Sequence, residues 1–270
     1  MGRAWQTRRT VTSTDLPDVE PARTGSQSIE RALAVLSFFV DEPSLGVTEI
    51  GRRLGLSVST AHRITRALVR AGYLDQDHDS ERYRLGRMVA VLGRAANAGL
   101  NLAEAEALLA TAAEVSGESA SLGVLDDHDV LILASASSPQ PLRFDRATGS
   151  RTPAHASAIG KVLLAFAPNG TGQTGGVLTG FTERTITDPD DLDGQLAEIR
   201  RSGHAVNLEE RYVGVCAVAA PILDGAGVAR AGVGFQVPLA RFGASRRTEL
   251  AEQAVRLADD LGRILPLERL

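Results

Sequence analysis

The sequence predicts an α+β chain in two parts: a small three-helix domain closed by a hairpin, then a larger domain of strands and helices. Three observations predict it. The stretch GRRLGLSVSTAHRITRALVRAGYL carries a helical apolar period on both sides of a short break containing glycine. GYLDQDHDSERYRLG alternates around a polar turn. SASLGVLDDHDVLILASAS and CAVAAPILDGAGVARAGVGFQV each resemble two strands joined at Asp- or Gly-containing turns.

The totals set the outer limits. At 270 residues the chain has length for about two ordinary domains. Hydrophobic residues make up 43% and aromatics only 4%, so the cores must be built from Leu, Val, Ile and Ala. The single cysteine, Cys216, excludes an intrachain disulfide and a Cys-rich zinc site, and suits a reducing, cytoplasmic setting. No apolar run of about 18 residues is present, which predicts no membrane span. Residues 1–24 have basic groups with no apolar run behind them; they predict a disordered arm and no secretory signal. Lys161 is the chain's only lysine, which codon usage in a GC-rich genome explains most simply.

The net charge is −4, but it is unevenly spread. Residues 1–86 hold 12 arginines against 11 acids, and the remainder holds 17 basic against 22 acidic residues. Five arginines and no acid fall between Gly51 and Leu74. A local stripe of charge, more than the total, sets the field at a contact surface.

Taken in order, SQSIERALAVLSFFV predicts a first helix with Ile29, Leu33, Leu36 and Val40 on its inward face. Thr48 is placed to cap a short second helix over 49–54, with Glu49 at its positive end. Gly55, Leu56 and Ser57 form the turn, with Ser57 as N-cap of a third helix over 58–71. Stepping roughly 100° per residue gathers Ser59, His62, Arg63, Arg66 and Arg70 on one side of it, and Ala61, Ile64, Leu68 and Ala71 on the other. Helix, tight turn, helix is the arrangement in which the second helix enters the major groove of DNA. Strands at 73–76 and 82–85 around a turn at 77–80 form a wing, from which Arg82 and Arg84 would reach phosphates. A helical stretch follows from residue 87, with a break near 98–101. Strands flank a turn at 126–129. A helix over 188–202 has acids at its start and arginines at its end, as the dipole favours. Strands over 216–223 and 228–237 surround a turn at 224–227, and an amphipathic helix over 245–265 closes the chain.

Several alternatives fail on their own patterns. AIGKV resembles half of a phosphate loop, but that motif needs glycine at His155 and Ser or Thr at Val162. DPDDLDG is interrupted by Leu192 where a calcium loop needs an oxygen ligand. The histidines at 62, 78, 128, 155 and 204 show no metal-ligating spacing, and no cofactor is implied. No nucleophile–base constellation emerges, which argues against an enzyme. The loop NGTGQTGG at 169–176 predicts a flexible linker.

SIERALAVLSFF, VTEIGRRLGLSVSTAHRITRALVRAGYLD and RYRLG resemble the winged helix-turn-helix of IclR-type bacterial transcription regulators. TPAHASAIGKVLLAF and SGHAVNLEERYVGVCAVAAPILDGAGVARAGVGFQVP resemble that family's effector-domain segments. The likeness runs from Ser26 to Leu265. It implies a winged helix-turn-helix over 25–86, a linker helix over 87–100, and a GAF-like α/β effector and oligomerisation domain with an antiparallel sheet over 101–270. It implies double-stranded DNA as partner, a homodimer or homotetramer, and a roughly palindromic operator. Ser57, Ser59, Thr60, His62 and Arg63 would face base edges, Thr60 and Arg63 above all. Arg31, Arg52, Arg66, Arg82 and Arg84 would grip phosphates. In the second domain, Ala158, Ile159 and Gly160 would offer backbone N–H groups at a helix start to an anionic effector. Val215, Ala217, Gly234 and Gln236 would point into its pocket. Small-acid-binding relatives carry Cys or Ser at some of these positions; Ala, Gly and Gln here suggest a bulkier, less polar organic acid, such as an aromatic one. An architectural DNA-binding protein without an effector is the alternative.

Overall fold

A computed structural model of the chain describes residues 26–40, 42–168 and 178–270. The expected arm at 1–24 and the linker at 169–176 lie outside the described residues. The chain divides into two compact units, 1–95 and 96–270.

In the first unit, α1 (Ser26–Ser37), α2 (Val47–Arg53) and α3 (Val58–Arg70) pack around one core. The hairpin β1 (Leu74–Gln76) and β2 (Tyr83–Leu85) closes it, with Leu74 opposite Leu85. Val35, Phe39, Leu45, Ile50, Ala61 and Leu68 are buried there. Of the residues expected on the inward face of the first helix, only Leu36 packs on the core, beside Val35 and Phe39; Ile29, Leu33 and Val40 stand 63%, 59% and 59% exposed. Thr48 is not the cap of α2 either. Gly46 holds the N-cap position, and its N–H donates to Glu49 Oε2 at 2.8 Å. That bond is the largest influence lowering the Glu49 pKa, with Arg82 and Arg53 adding to it. Gly51 lets the second helix approach the turn, since a Cβ there would meet Leu56 O at 3.2 Å. The helix α4 (Arg87–Gly99) follows and buries none of its side chains.

In the second unit, α5 (Leu102–Ser116) begins after Asn101, whose left-handed backbone makes the expected break. A six-stranded antiparallel sheet runs β5-β4-β3-β8-β7-β6. Its strands are β3 (Ser119–Asp126), β4 (Asp129–Ala136), β5 (Arg151–Pro153), β6 (Ala205–Leu208), β7 (Val215–Leu223) and β8 (Ala229–Pro238). The edge strands β5 and β6 have no counterpart in the sequence reading. On one face, Cys216, Val218, Val233, Phe235 and Val237 pack against α5 and α8 (Ala244–Ile264). On the other, Val130, Ile132 and Ala219 pack against α6 (Ala158–Ala165) and α7 (Pro189–Ser202). Period-two alternation thus supplies two cores from one sheet. Asp188 caps α7, accepting from Asp190 N at 2.8 Å. Among the described residues no helix is long and apolar enough to cross a membrane.

The segment leading into the expected helix start at Ala158 is split. A 3-10 turn spans Ala154–Ala156, and α6 starts at Ala158 with Ser157 as N-cap. Pro153 leads into the turn, and extended geometry at Ser157 separates the two pieces.

Candidate nucleic-acid interface and ligand cavity

The first unit presents α3 as an amphipathic rod. Ala61, Thr65 and Leu68 face the core, while His62, Arg63, Arg66 and Arg70 are exposed. Ser57 caps the helix, accepting from Thr60 N at 3.3 Å. Its hydroxyl also lies 3.0 Å from Ser59 Oγ and 2.9 Å from Thr60 Oγ1. Three hydroxyls and a row of cations therefore occupy the start and outer side of one helix. Arg63, Arg66 and Arg70 make no ion pair among the described residues. Uncompensated guanidinium groups on a rigid helix suit a polyanion, because phosphate neutralisation releases the counterions that otherwise screen it.

The remaining arginines divide. Arg52 and Arg84 are exposed, and Arg31 is half-buried on α1. Arg82 has partners within the unit. Its Nε donates to Ser44 Oγ at 3.0 Å, and its Nη2 donates to Ser44 O at 2.8 Å. Nη2 also pairs with Glu49 Oε2 at 3.1 Å. This guanidinium ties the wing to the start of α2, so Arg84 is left as the wing's phosphate candidate. Arg53, likewise, pairs with Glu42 and lies over the Phe38 ring.

The second unit holds a cavity between the sheet and the start of α6. Val130, Ile132 and Ala217 form its apolar side. Ser157, Ala158 and Ile159 come from the helix start. Arg146, Thr152 and Gln236 supply further polar groups. Its free volume is about 10 Å³, room for about one water molecule. Gln236 Oε1 accepts from Ser121 Oγ at 3.0 Å, deep in the sheet.

Of the residues assigned from sequence, Ala158, Ile159, Ala217 and Gln236 line this cavity. Gly160 is next to it, but its N–H donates to Ser157 Oγ at 3.0 Å. An added Cβ at Gly160 would stand 2.2 Å from Ala154 O. Its glycine therefore serves a close backbone approach, and its donor is already taken. Gly234 is packed against the neighbouring strand, where an added Cβ would meet Val218 O at 2.3 Å. Val215 begins β7 and does not line the cavity. Sequence reasoning missed Arg146, Thr152 and Ser157. Nor is the lining as dry as the Ala and Gly positions suggested, because Arg146 enters from the irregular segment after β4.

Behind the cavity, α6 is pinned by a buried ion pair. Lys161, wholly buried, donates from Nζ to Glu210 Oε1 at 2.5 Å, Gln195 Oε1 at 2.7 Å and Val206 O at 3.2 Å. Burial pushes the ammonium below the usual lysine range, and Glu210 opposes the shift. Asn207 Nδ2 donates to Ala156 O at 3.0 Å, which joins β6 to the 3-10 turn. His155 is a packing residue: its Nε2 lies 3.0 Å from Thr179 O, and its ring stacks on Phe181. Cys216 is buried among apolar side chains, and burial is the main cause raising its thiol pKa. That makes it a small hydrophobe more than a nucleophile.

Comparison with known proteins places both units. Residues 28–78 match the IclR helix-turn-helix domain, and residues 98–263 match the family described as bacterial transcriptional regulator IclR C-terminal. The HTH-type transcriptional regulator BhcR of Paracoccus denitrificans is 35% identical over 88% of this chain and 86% of its own length. The glycerol operon regulatory protein of Streptomyces coelicolor is 35% identical over 88% of this chain and 94% of its own. Among solved structures, an IclR homolog from Microbacterium hydrocarbonoxydans complexed with 4-hydroxybenzoate has a TM-score of 0.76 at 28% identity, covering 87% of this chain and 98% of that one.

Proposed function

The chain belongs to the IclR family of bacterial transcriptional regulators, and on that premise we propose that it controls a catabolic operon by binding a roughly palindromic operator in response to a small organic acid. The observation that carries the DNA part is the outward row of Arg63, Arg66 and Arg70, backed by Ala61 and Leu68 in the core. Thr60 and Arg63, in the first two turns of α3, read base edges; Arg31, Arg52, Arg66 and Arg84 hold phosphates.

The protein acts as a dimer or a dimer of dimers. Ile29 and Leu33 on α1, Val40 in the turn after it, and Val91 and Leu92 on α4 are exposed apolar side chains. Exposed apolar rows of this kind support an association surface. Leu33→Asp and Leu92→Asp together should leave each unit folded and shift sedimentation toward the monomer. An unchanged dimer in that variant would place the interface elsewhere.

The effector enters the cavity beside Ser157, Ala158 and Ile159. The helix start and the 4-hydroxybenzoate complex of the related Microbacterium protein favour an acid. An aromatic ring needs the cavity to open, since its present volume is about that of one water. The effector changes operator affinity only through different affinities for two arrangements of the protein, and residues 86–100 are the covalent route between them. Calorimetry of the full chain with glyoxylate, pyruvate, benzoate and 4-hydroxybenzoate tests this, paired with operator affinity in the presence of each. An acid that binds and shifts operator affinity supports the reading. No binding and no shift with any of them would favour an effector-independent DNA-binding protein.

A further inference from the structure

We propose that Arg146 is the carboxylate receptor of this cavity, so that the effector is a small acid held as its anion against the guanidinium, with its carbon body on Val130, Ile132 and Ala217. The inference rests on the reading of the cavity as the effector site and adds to it the group that selects the ligand.

Several arginines of this unit are paired: Arg143 with Asp145, Arg151 with Asp126, Arg230 with Asp224, and Arg241 with Glu118. Arg146 makes no ion pair among the described residues, although it is half-buried and lines the cavity. Its adjacent acid, Asp145, is turned elsewhere; it accepts from Ser119 Oγ at 2.7 Å and Arg143 Nε at 2.8 Å. One Arg146 donor, Nη1, is used by Thr152 Oγ1, and the guanidinium lies over the Phe144 ring with its carbon 5.7 Å from the centroid. A guanidinium has five N–H donors, so donors remain.

Burial is the main cause pushing the Arg146 pKa down; Tyr212 opposes the shift, and the charge of Arg211 adds to it. Arg211 is held 3.7 Å above the Phe181 ring, and its Nε is buried without a hydrogen-bond partner. Tyr212 and Phe144, whose centroids are 5.2 Å apart, bridge the two arginine-bearing segments. Both cations are steadied on aromatic faces; Asp129 acts on Arg211, whereas Arg146 has no ion-pair partner among the described residues, so an anion at Arg146 would complete its charge. A guanidinium fork takes a carboxylate with two parallel hydrogen bonds, a geometry that a lysine or a backbone N–H does not reproduce. Gln236 and Ser157, on the opposite sides of the cavity, are suited to a hydroxyl or keto oxygen on the same ligand.

A structural role and a ligand-binding role predict different things for Arg146→Gln. A structural arginine destabilises the ligand-free protein when removed. A buried cation kept for a ligand does not, because its removal relieves a desolvation cost. The full-length protein and its Arg146→Gln and Arg146→Lys variants are titrated with pyruvate, glyoxylate, benzoate and 4-hydroxybenzoate, and with the uncharged analogues pyruvamide and benzamide. The acid that binds the unsubstituted protein best should bind Arg146→Gln roughly 10–100-fold more weakly, the size of lost charge-assisted hydrogen bonds. Arg146→Lys should recover part of that loss. The matching amide should not distinguish the unsubstituted protein from Arg146→Gln. The ligand-free melting temperature of Arg146→Gln should equal or exceed that of the unsubstituted protein. Full affinity in Arg146→Gln would overturn this inference and leave the cavity reading intact. A lowered melting temperature together with lost binding would also overturn it, by making Arg146 structural. No binding of any acid to the unsubstituted protein would overturn both.

Discussion

Replacing Lys161 by methionine keeps the shape of a long side chain and removes the ammonium. Three acceptors lose their donor: Glu210 Oε1, Gln195 Oε1 and Val206 O. Glu210 is the costly one. Its side chain is 6% exposed, and its Oε2 already lacks a hydrogen-bond partner. Stripping one partner from a buried pair costs about 3–5 kcal/mol, because the remaining charge is uncompensated. Against a stability of about 5–15 kcal/mol for a domain this is a large fraction. Glu210→Met should cost a similar amount for the mirror reason. The double variant removes both charges, and only Gln195 Oε1 and Val206 O are left short of a donor, at about 1–2 kcal/mol each. The double variant should therefore be more stable than either single one, with a coupling of about 3 kcal/mol or more. Urea unfolding of the full chain by far-UV circular dichroism gives the energies, and hydrogen exchange at α6 assigns them. Single variants within about 1 kcal/mol of the parent, or losses that simply add in the double, would refute the buried-pair argument.

Other expectations follow from the same geometry. Arg82→Ala should lower the stability of the first unit, because it frees Ser44 and Glu49, and it should leave the salt dependence of DNA binding nearly unchanged. Arg84→Ala should leave stability alone, weaken specific and random DNA alike, and reduce the salt slope by about 1; binding titrations over a salt series separate the two. Glu49 has a lowered folded pKa, so its stabilising contribution is present above its unfolded value of 4.5 and is lost as pH falls through the folded one. Glu49→Gln should flatten the acid side of the first unit's stability curve, and a pH series of thermal melts reads this. Gly160→Ala places a Cβ 2.2 Å from Ala154 O and 2.3 Å from its Cα, so backbone must move. It should cost about 3 kcal/mol, at the upper end of overpacking, and weaken ligand binding with it; a melt near that of the parent would remove the close-approach argument.

How far the sequence could be read varies by element, for identifiable reasons. The helix α3 was legible because its cap, its apolar period and its row of arginines agree. The hairpin, the strands on either side of 126–129 and the Asp188 cap were legible because local turn chemistry sets them. The inward face of α1 was not. Its apolar residues form two stripes, and period alone does not say which meets the core and which is left for another surface. The ties of Arg82 to Ser44 and Glu49 were not legible because those partners come from elsewhere in the chain. The short edge strands β5 and β6 carry too few residues to show alternation. Lys161 looked like a consequence of codon usage until Glu210 appeared beside it. Arg146 lies in PLRFDRATGSR, where no period distinguishes it from the other arginines. Only the fold brings it to Thr152 and the start of α6.

Base reading by the exposed side of α3 is tested by competition binding of the unsubstituted protein and Arg63→Ala, measured on a footprinted fragment of the protein's own promoter and on random DNA at matched salt. Arg63→Ala should lose about 1–3 kcal/mol on the promoter site and little on random DNA. Equal losses on both would contradict base reading by this helix.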